Sequence, residues 1–185
     1  MIIPVELKKE MLKAARNYLA YKLGIVDTRP VLSENPVYEE KTGIFVTLNK
    51  NSNLRGCIGH IVGYLPLKES LFEMAEAAAF SDPRFPPLQK DELKDITLEI
   101  SILSDLLPVD SMEKIIPGKH GVVLKHGYHQ AVFLPQVATE QGWDRDEMLA
   151  NLSLKAGLHP SAYKEKNTEF YVFTADVFSE KDYYE

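Results

Sequence analysis

The only cysteine of the chain, Cys57, lies in Leu54-Arg55-Gly56-Cys57-Ile58-Gly59-His60, between two glycines and close to an arginine and a histidine. Beside cations a thiol ionises below its usual pKa of about 8.5 and becomes a nucleophile or redox group; in apolar surroundings it packs as a small hydrophobe. In a regular strand Arg55 and Cys57 share a face and His60 lies on the other, so only a kink at Gly56 or Gly59 would bring the imidazole round to the sulfur. Glycine inside a strand packs nothing and costs backbone entropy. The pair at 56 and 59 therefore predicts a bulge, or a close approach by ligand or neighbouring backbone. The stretch is the leading site candidate, with Arg55, Gly56, Gly59 and His60 as ligand contacts and Cys57 as a catalytic or contact thiol.

Other side chains extend the candidate site. Arg55 is suited to clamping a carboxylate or phosphate bidentately, the alternative being a structural ion pair with Asp82 or Glu99. Glu99 and Ser101 alternate onto one face of a strand, Glu99 as a base or as the partner of Arg55 and Ser101 as a ligand contact; plain solvent exposure of that face is the rival reading. In Ser81-Asp82-Pro83-Arg84-Phe85, the residues Ser81, Asp82 and Arg84 are candidate contacts. Asp82 is also placed to cap a helix or bond backbone amides, and Arg84 to pair with an acid. His120, His126 and His129, with Cys57 and His60, include ligand types for zinc or iron, but their spacing fits no metal motif and no metal site is assigned. The chain has no phosphate-cradling Gly-rich loop, no Gly-x-Ser-x-Gly elbow and no CxxxCxxC cluster; in any radical reaction it is the partner and not the generator.

Periodicity supplies the elements that must position these groups. Leu7, Met11, Ala14, Ala15, Tyr18 and Leu19 recur at helical spacing between Val5 and Leu23, with Pro4 before the helix and Gly24 after it. A long irregular connection follows from Ile25 to Lys41. Gly43 to Leu48 and Leu54 to Ile61 read as a hairpin about Asn49–Asn53, and Pro66 opens a second helix ending near Phe80. The prolines at 83, 86 and 87 make the next segment a stiff loop. Ile96, Leu98, Ile100 and Ile102 alternate with Thr97, Glu99 and Ser101 in a strand from Asp95 to Leu103. Met112–Ile116 reads as a helical turn, and His120–Leu124 and Gln130–Leu134 as strands about His126-Gly127-Tyr128, with Pro135 ending the second. Asp144 with Glu147 opens a helix stopped by Gly157, Phe170–Phe178 is a last strand, and Ser179–Glu185 an exposed tail. Short turns between strands and blocks of helices favour an α+β fold with a mostly antiparallel sheet and packed helices.

Composition narrows the class. With 185 residues, 45% hydrophobic and 26% charged, the chain suits one globular domain spanning 1–185, or two lobes sharing a core. A net charge of −6 and a pI near 5.4, without a basic run, argue against non-specific nucleic-acid binding. No apolar run approaches the roughly 20 residues of a membrane span. The start, Met1-Ile2-Ile3-Pro4, lacks the pattern of a secretory signal, and one cysteine makes no internal disulfide. The expected location is the reducing cytoplasm.

Leu54-Arg55-Gly56-Cys57-Ile58-Gly59 resembles the signature hexapeptide of the AMMECR-one domain family, called AmmeMemoRadiSam system protein A in prokaryotes. Ala78-Ala79-Phe80-Ser81-Asp82-Pro83-Arg84-Phe85 adds to the resemblance, as do Leu98-Glu99-Ile100-Ser101 with Leu103-Ser104, Gly118-Lys119-His120-Gly121, Leu134-Pro135-Gln136-Val137 and Lys155-Ala156-Gly157-Leu158. The six blocks stand in the family's order and cover nearly the whole chain. The resemblance implies an α+β fold with a larger and a smaller lobe around a cleft lined by the hexapeptide, and association, by gene context, with a Memo-like protein and a radical SAM protein. The family has no settled activity, so no catalytic role and no cofactor carries over. His120, inside a family block, joins Cys57 and Glu99 as a candidate catalytic group, with Gly121 expected to let the chain pass close to the cleft floor. Two functions are expected: a cytoplasmic component of a modification or cofactor system that binds a small molecule or substrate segment in the cleft, or a non-catalytic adaptor that uses the cleft for a partner protein.

Overall fold

A computed structural model describes residues 3–184, so Met1 and Ile2 of the expected N-terminal entry and Glu185 of the expected tail lie outside the described residues. The chain forms two compact units, one of residues 1–103 and 176–185 and the other of residues 104–175. In the first unit α1 (Val5–Lys22) begins after Pro4, whose missing N–H costs nothing there, and stops before Gly24 at φ +65°. The connection from 24 to 43 is irregular but for one 3-10 turn, Pro36–Glu39. β1 (Ile44–Lys50) and β2 (Asn53–His60) then pair antiparallel across Asn51 and Ser52, both at positive φ, the conformation a two-residue hairpin turn requires.

α2 (Leu67–Phe80) and β3 (Ile96–Leu103) complete the frame, and β8 (Ala175–Ser179) closes a sheet in the order β2-β1-β3-β8. Ile44, Val46 and Leu48 of β1 and Leu98, Ile100 and Ile102 of β3 alternate onto one face, where Leu12, Ala15 and Leu19 of α1 and Leu71 and Ala75 of α2 bury them. The other face carries Thr47, Glu99 and Ser101. It is not simply solvent-exposed, since Ser101 is fully buried.

In the second unit β4 (Leu107–Val109), β5 (Gly121–His126), β6 (His129–Phe133) and β7 (Thr168–Phe173) form a sheet in the order β4-β7-β5-β6, with antiparallel registers throughout. α3 (Pro135–Gln141) and α4 (Arg145–Lys155) supply Ala138, Met148, Leu149 and Leu152 to its own core. The expected capping box opens α4: Asp144 Oδ1 accepts from the Glu147 amide at 2.9 Å and Glu147 Oε2 from the Asp144 amide at 3.0 Å. The fold is α+β, with two four-stranded antiparallel sheets.

Two expectations need correction, the last strand and the tail, and two elements, α3 from Pro135 and the strand β4, were not expected from the sequence. The apolar run Phe170–Phe178 is not one strand: it breaks at Thr174 into β7 and β8, which belong to different sheets. Pro135 ends a strand as expected but is also the first residue of α3, a position where its fixed φ favours helix. Leu107-Pro108-Val109 is a short edge strand, the one place in a sheet that tolerates proline. The tail is not all exposed. Glu180 is buried, accepting from Arg16 Nε and Nη2 at 2.5 and 2.6 Å and from the Leu98 amide at 2.8 Å. Among the described residues no helix is long and apolar enough to cross a membrane.

At Gly56 the β2 backbone lies close against α2. A Cβ there would overlap the carbonyl oxygen of Ala78, a backbone atom that cannot step aside. Gly56→Ala is expected to lower stability by about 1–3 kcal/mol, the range for overpacking a well-filled interior, read as a lower urea midpoint with unchanged slope.

Candidate functional site

The hexapeptide lies on β2, the edge strand of the first sheet. The β1–β2 register slips between Leu48 and Asn49: Leu48 faces Gly56 and Asn49 faces Leu54, so Arg55 is the extra residue of a bulge. Arg55 is only 8% exposed. Its Nε and Nη2 donate to Glu92 Oε1 and Oε2 at 3.2 and 3.0 Å, a bidentate pair, and Lys50 Nζ reaches Oε1 at 3.0 Å. The amide of Gln89 holds Oε2 at 3.1 Å, so the 3-10 turn Lys90–Asp95 presents this carboxylate in a fixed direction. Against the cost of burial, the hydrogen bonds from Arg55, and then those from Lys50 and Gln89, bring the Glu92 pKa down to about 2. The expected partners of Arg55, Asp82 and Glu99, are thus replaced by Glu92. Arg55 Nη1 is buried without any hydrogen-bond partner. Leaving such a donor unmatched costs about 1–3 kcal/mol.

Cys57 faces Thr47 across the hairpin, and Thr47 faces Glu99 on β3. The Cys57 amide points out of the sheet, as in a non-hydrogen-bonded pair, where side chains approach most closely. Thr47 Oγ1 donates to the Cys57 sulfur at 3.2 Å. The outward amide donates to Asp82 Oδ2 at 2.9 Å, while Arg84 Nη2 donates to the Cys57 carbonyl at 3.3 Å. Asp82 is buried and saturated: Oδ1 takes the Arg84 amide and Nε at 3.1 and 2.9 Å, and Oδ2 takes Arg84 Nη2 at 2.7 Å. An aspartate just past a helix C-terminus stands at the negative pole of the helix dipole. The Arg84 guanidinium and two backbone amides outweigh that and burial, holding its carboxyl well below the usual range.

Cys57 is half-buried, and burial pushes its thiol up. The Thr47 hydroxyl and the Arg84 charge oppose this less strongly, and the Asp82 and Glu99 carboxylates add to it. At neutral pH the group is a thiol. It offers a soft contact and a weak hydrogen-bond donor more readily than a nucleophile.

The remaining candidates are placed as follows. Glu99 and Ser101 share the face of Cys57, Glu99 beside Thr47 and Ser101 beside Phe45. The space beside Gly59 is filled by the Phe45 ring and the Ile44 carbonyl, and that beside Gly56 by Ala78, so both glycines serve close packing within the chain. His60 pairs with Ile44 on the helix-covered side of β2 and meets Tyr64 edge-on at 5.9 Å; no kink brings it to the sulfur. Ser81 is an exposed residue at the end of α2. His120 belongs to the second unit, where its Nδ1 accepts from the Ile116 amide at 3.2 Å and burial lowers its pKa. Gly121 makes room for the Phe173 ring of the same unit. His126 and His129 bond Thr168 and the Ala156 carbonyl, each at 2.9 Å, and no group of three His, Cys, Asp or Glu among the described residues is arranged to hold a metal.

Thr47, Phe85 and Glu92 were not legible as site residues. Thr47 is marked only by its alternation in β1, and Glu92 lies in an ordinary charged turn. Phe85 has the Arg55 and Arg84 guanidinium carbons 6.0 and 5.5 Å from its ring centre. A groove of about 530 Å³ between α1, the loop at 29–32 and α2 shares no residue with this cluster.

A carboxylate whose folded pKa is depressed stabilises the fold above its ordinary value, here 4.5, and loses that contribution as pH falls through the folded value. The wild-type protein is therefore expected to lose stability more steeply between pH 4.5 and about 2 than Glu92→Gln, in urea unfolding at stepped pH. At pH 7 Glu92→Gln, which leaves Arg55 buried against a neutral partner, is expected to be about 3 kcal/mol less stable.

Comparison with known proteins places the chain in a family. The AMMECR1 family profile matches residues 12–178. A protein of Methanothermobacter thermautotrophicus is 43% identical over 150 residues, 78% of each chain. Protein MJ0810 of Methanocaldococcus jannaschii is 41% identical over 172 residues, 89% of this chain and 83% of its own. The crystal structure of an uncharacterized protein, PH0010, from Pyrococcus horikoshii superimposes with a TM-score of 0.83 at 34% identity, covering 92% of this chain and 90% of that one. With a profile spanning nearly its whole length and relatives this similar, the chain belongs to the AMMECR1 family.

Proposed function

We propose that this protein is a cytoplasmic binding component of a multi-protein modification or cofactor system, holding a small molecule or a substrate segment against the sheet face that carries Cys57, Thr47 and Glu99, and acting with Memo-like and radical SAM partners. One observation carries the reading. A buried aspartate and an arginine are committed to fixing the backbone on both sides of Cys57, its amide and its carbonyl, beside a half-buried thiol. Rigid support of this kind presets a contact surface at low ordering cost when a ligand arrives. Arg55 and Arg84 supply positive charge at its border, Asp82 positions the backbone, and Glu99 is the base or acceptor on the same face. The Cys57 thiol contacts the ligand, with acid-base assistance assigned to Glu99 before nucleophilic attack is assigned to sulfur.

The test is to purify wild type and Cys57→Phe from the native host, denature both, and compare released small molecules and co-purifying proteins by mass spectrometry. A species recovered near one equivalent with wild type and absent from a folded Cys57→Phe supports the reading. Identical profiles sink it. The thiol makes a separate prediction: iodoacetamide labelling of the folded protein is expected to titrate with a midpoint above that of an ordinary exposed thiol, and Thr47→Val, which removes the hydroxyl that favours thiolate, to move it higher.

A further inference from the structure

We propose that Arg55 receives an oxyanion, a carboxylate or phosphate group of the ligand, on the end of its guanidinium that Glu92 leaves free, and that the Phe85 ring covers this end until the ligand displaces it. The inference rests on the proposed ligand-binding role of the hexapeptide face and names the chemical class bound there. A guanidinium carries five N–H donors in a planar fork. Glu92 occupies the side formed by Nε and Nη2, leaving Nη1 and the outer hydrogen of Nη2 as a second, end-on fork suited to another bidentate acceptor.

Among the described residues no hydrogen-bond partner reaches Nη1 in that fork. Nη1 is buried and unpartnered, on a side chain nine-tenths removed from solvent. The two nearby carboxylates have no capacity to spare. Glu92 already accepts four hydrogen bonds, from Arg55 Nε and Nη2, Lys50 Nζ and the Gln89 amide. Asp82 accepts four as well, from the Cys57 and Arg84 amides and from Arg84 Nε and Nη2. Arg84 repeats the pattern: it too spends Nε and Nη2 on a carboxylate, and its side chain is 54% exposed.

Both guanidiniums lie against one ring, Phe85, at 6.0 and 5.5 Å. That ring is half-buried, in a loop whose backbone is pinned by the Phe85 amide donating to the Asp82 carbonyl at 3.1 Å. A side-chain rotation moves the ring without unfolding the loop. An incoming oxyanion exchanges a cation–π contact for charge-assisted hydrogen bonds, which are stronger.

The test is an NMR titration of the full-length ¹⁵N-labelled protein with inorganic phosphate and, separately, succinate, using chloride at matched ionic strength as reference. The readout is the Gly56 and Cys57 amides and the Arg55 Nε–H signal. Saturable shifts with either anion, absent with chloride, are expected, and the tighter binder tells phosphate from carboxylate. Arg55→Lys keeps the charge but not the planar fork and is expected to weaken binding at least tenfold. Phe85→Ala keeps Arg55 and Glu92 intact and is expected to tighten it several-fold. Neither anion saturating above chloride overturns the proposal, and so does Phe85→Ala titrating like wild type. If the species released from wild type carries no acidic group, the proposal fails while the binding role of the face stands. If anions bind but wild type and Cys57→Phe release identical species, the binding role fails and the oxyanion site stands.

Discussion

The backbone amide and carbonyl of Cys57 are gripped from outside the sheet by Asp82 and Arg84, and most of what is distinctive about the first unit follows from that grip. β2 is an edge strand, and an edge strand presents unpaired N–H and C=O groups that invite another chain. At Cys57 one group is taken by a carboxylate and the other by a guanidinium, so the edge is closed by residues a single turn beyond the end of α2. The same contact ties the helix end to the strand. Gly56 is required because Ala78 of that helix leaves no room for a side chain beneath the strand.

The electrostatics share this origin. Asp82 stays ionised at the unfavourable end of a helix because Arg84 and two amides surround it, and its fixed negative charge, with that of Glu99, opposes ionisation of the neighbouring thiol. Arg55 is turned by the bulge towards Glu92. Two arginines thus flank one aromatic ring, each bound to its own carboxylate, with a protonated sulfur between them in sequence. The set combines soft contact, hydrogen bonding and positive charge, and the sulfur is its least reactive member at neutral pH.

Much of this was legible before any coordinates. The alternation of Ile96, Leu98, Ile100 and Ile102 marks a strand with one buried face, and Asp144 with Glu147 marks a helix start, because local backbone geometry and local hydrogen bonding dictate both. The glycines at 56 and 59 announced a bulge or a close approach, and both occur. The pairing of Arg55 was not legible. Asp82, Glu92 and Glu99 are equally plausible acids along the chain, and a bulge at Arg55 selects among them. The break at Thr174 left no trace either, since Phe170 and Phe178 are both buried and the apolar run carries no glycine or proline to punctuate it.

What the sequence alone determined is the kinship, the α+β class, the helix and strand periods and the concentration of chemistry at Arg55–His60. Those properties are written in nearest-neighbour spacing and in residue type. What the tertiary structure decided is which charges meet. Arg55 finds Glu92 across 37 positions, Asp82 reaches back 25 to the amide of Cys57, and Thr47, ten residues before the sulfur, becomes its hydrogen-bond partner. Each contact depends on strand register and on where a helix ends against a sheet. Register and docking are collective outcomes of burying one apolar face, and no local pattern specifies which polar groups they bring together on the other.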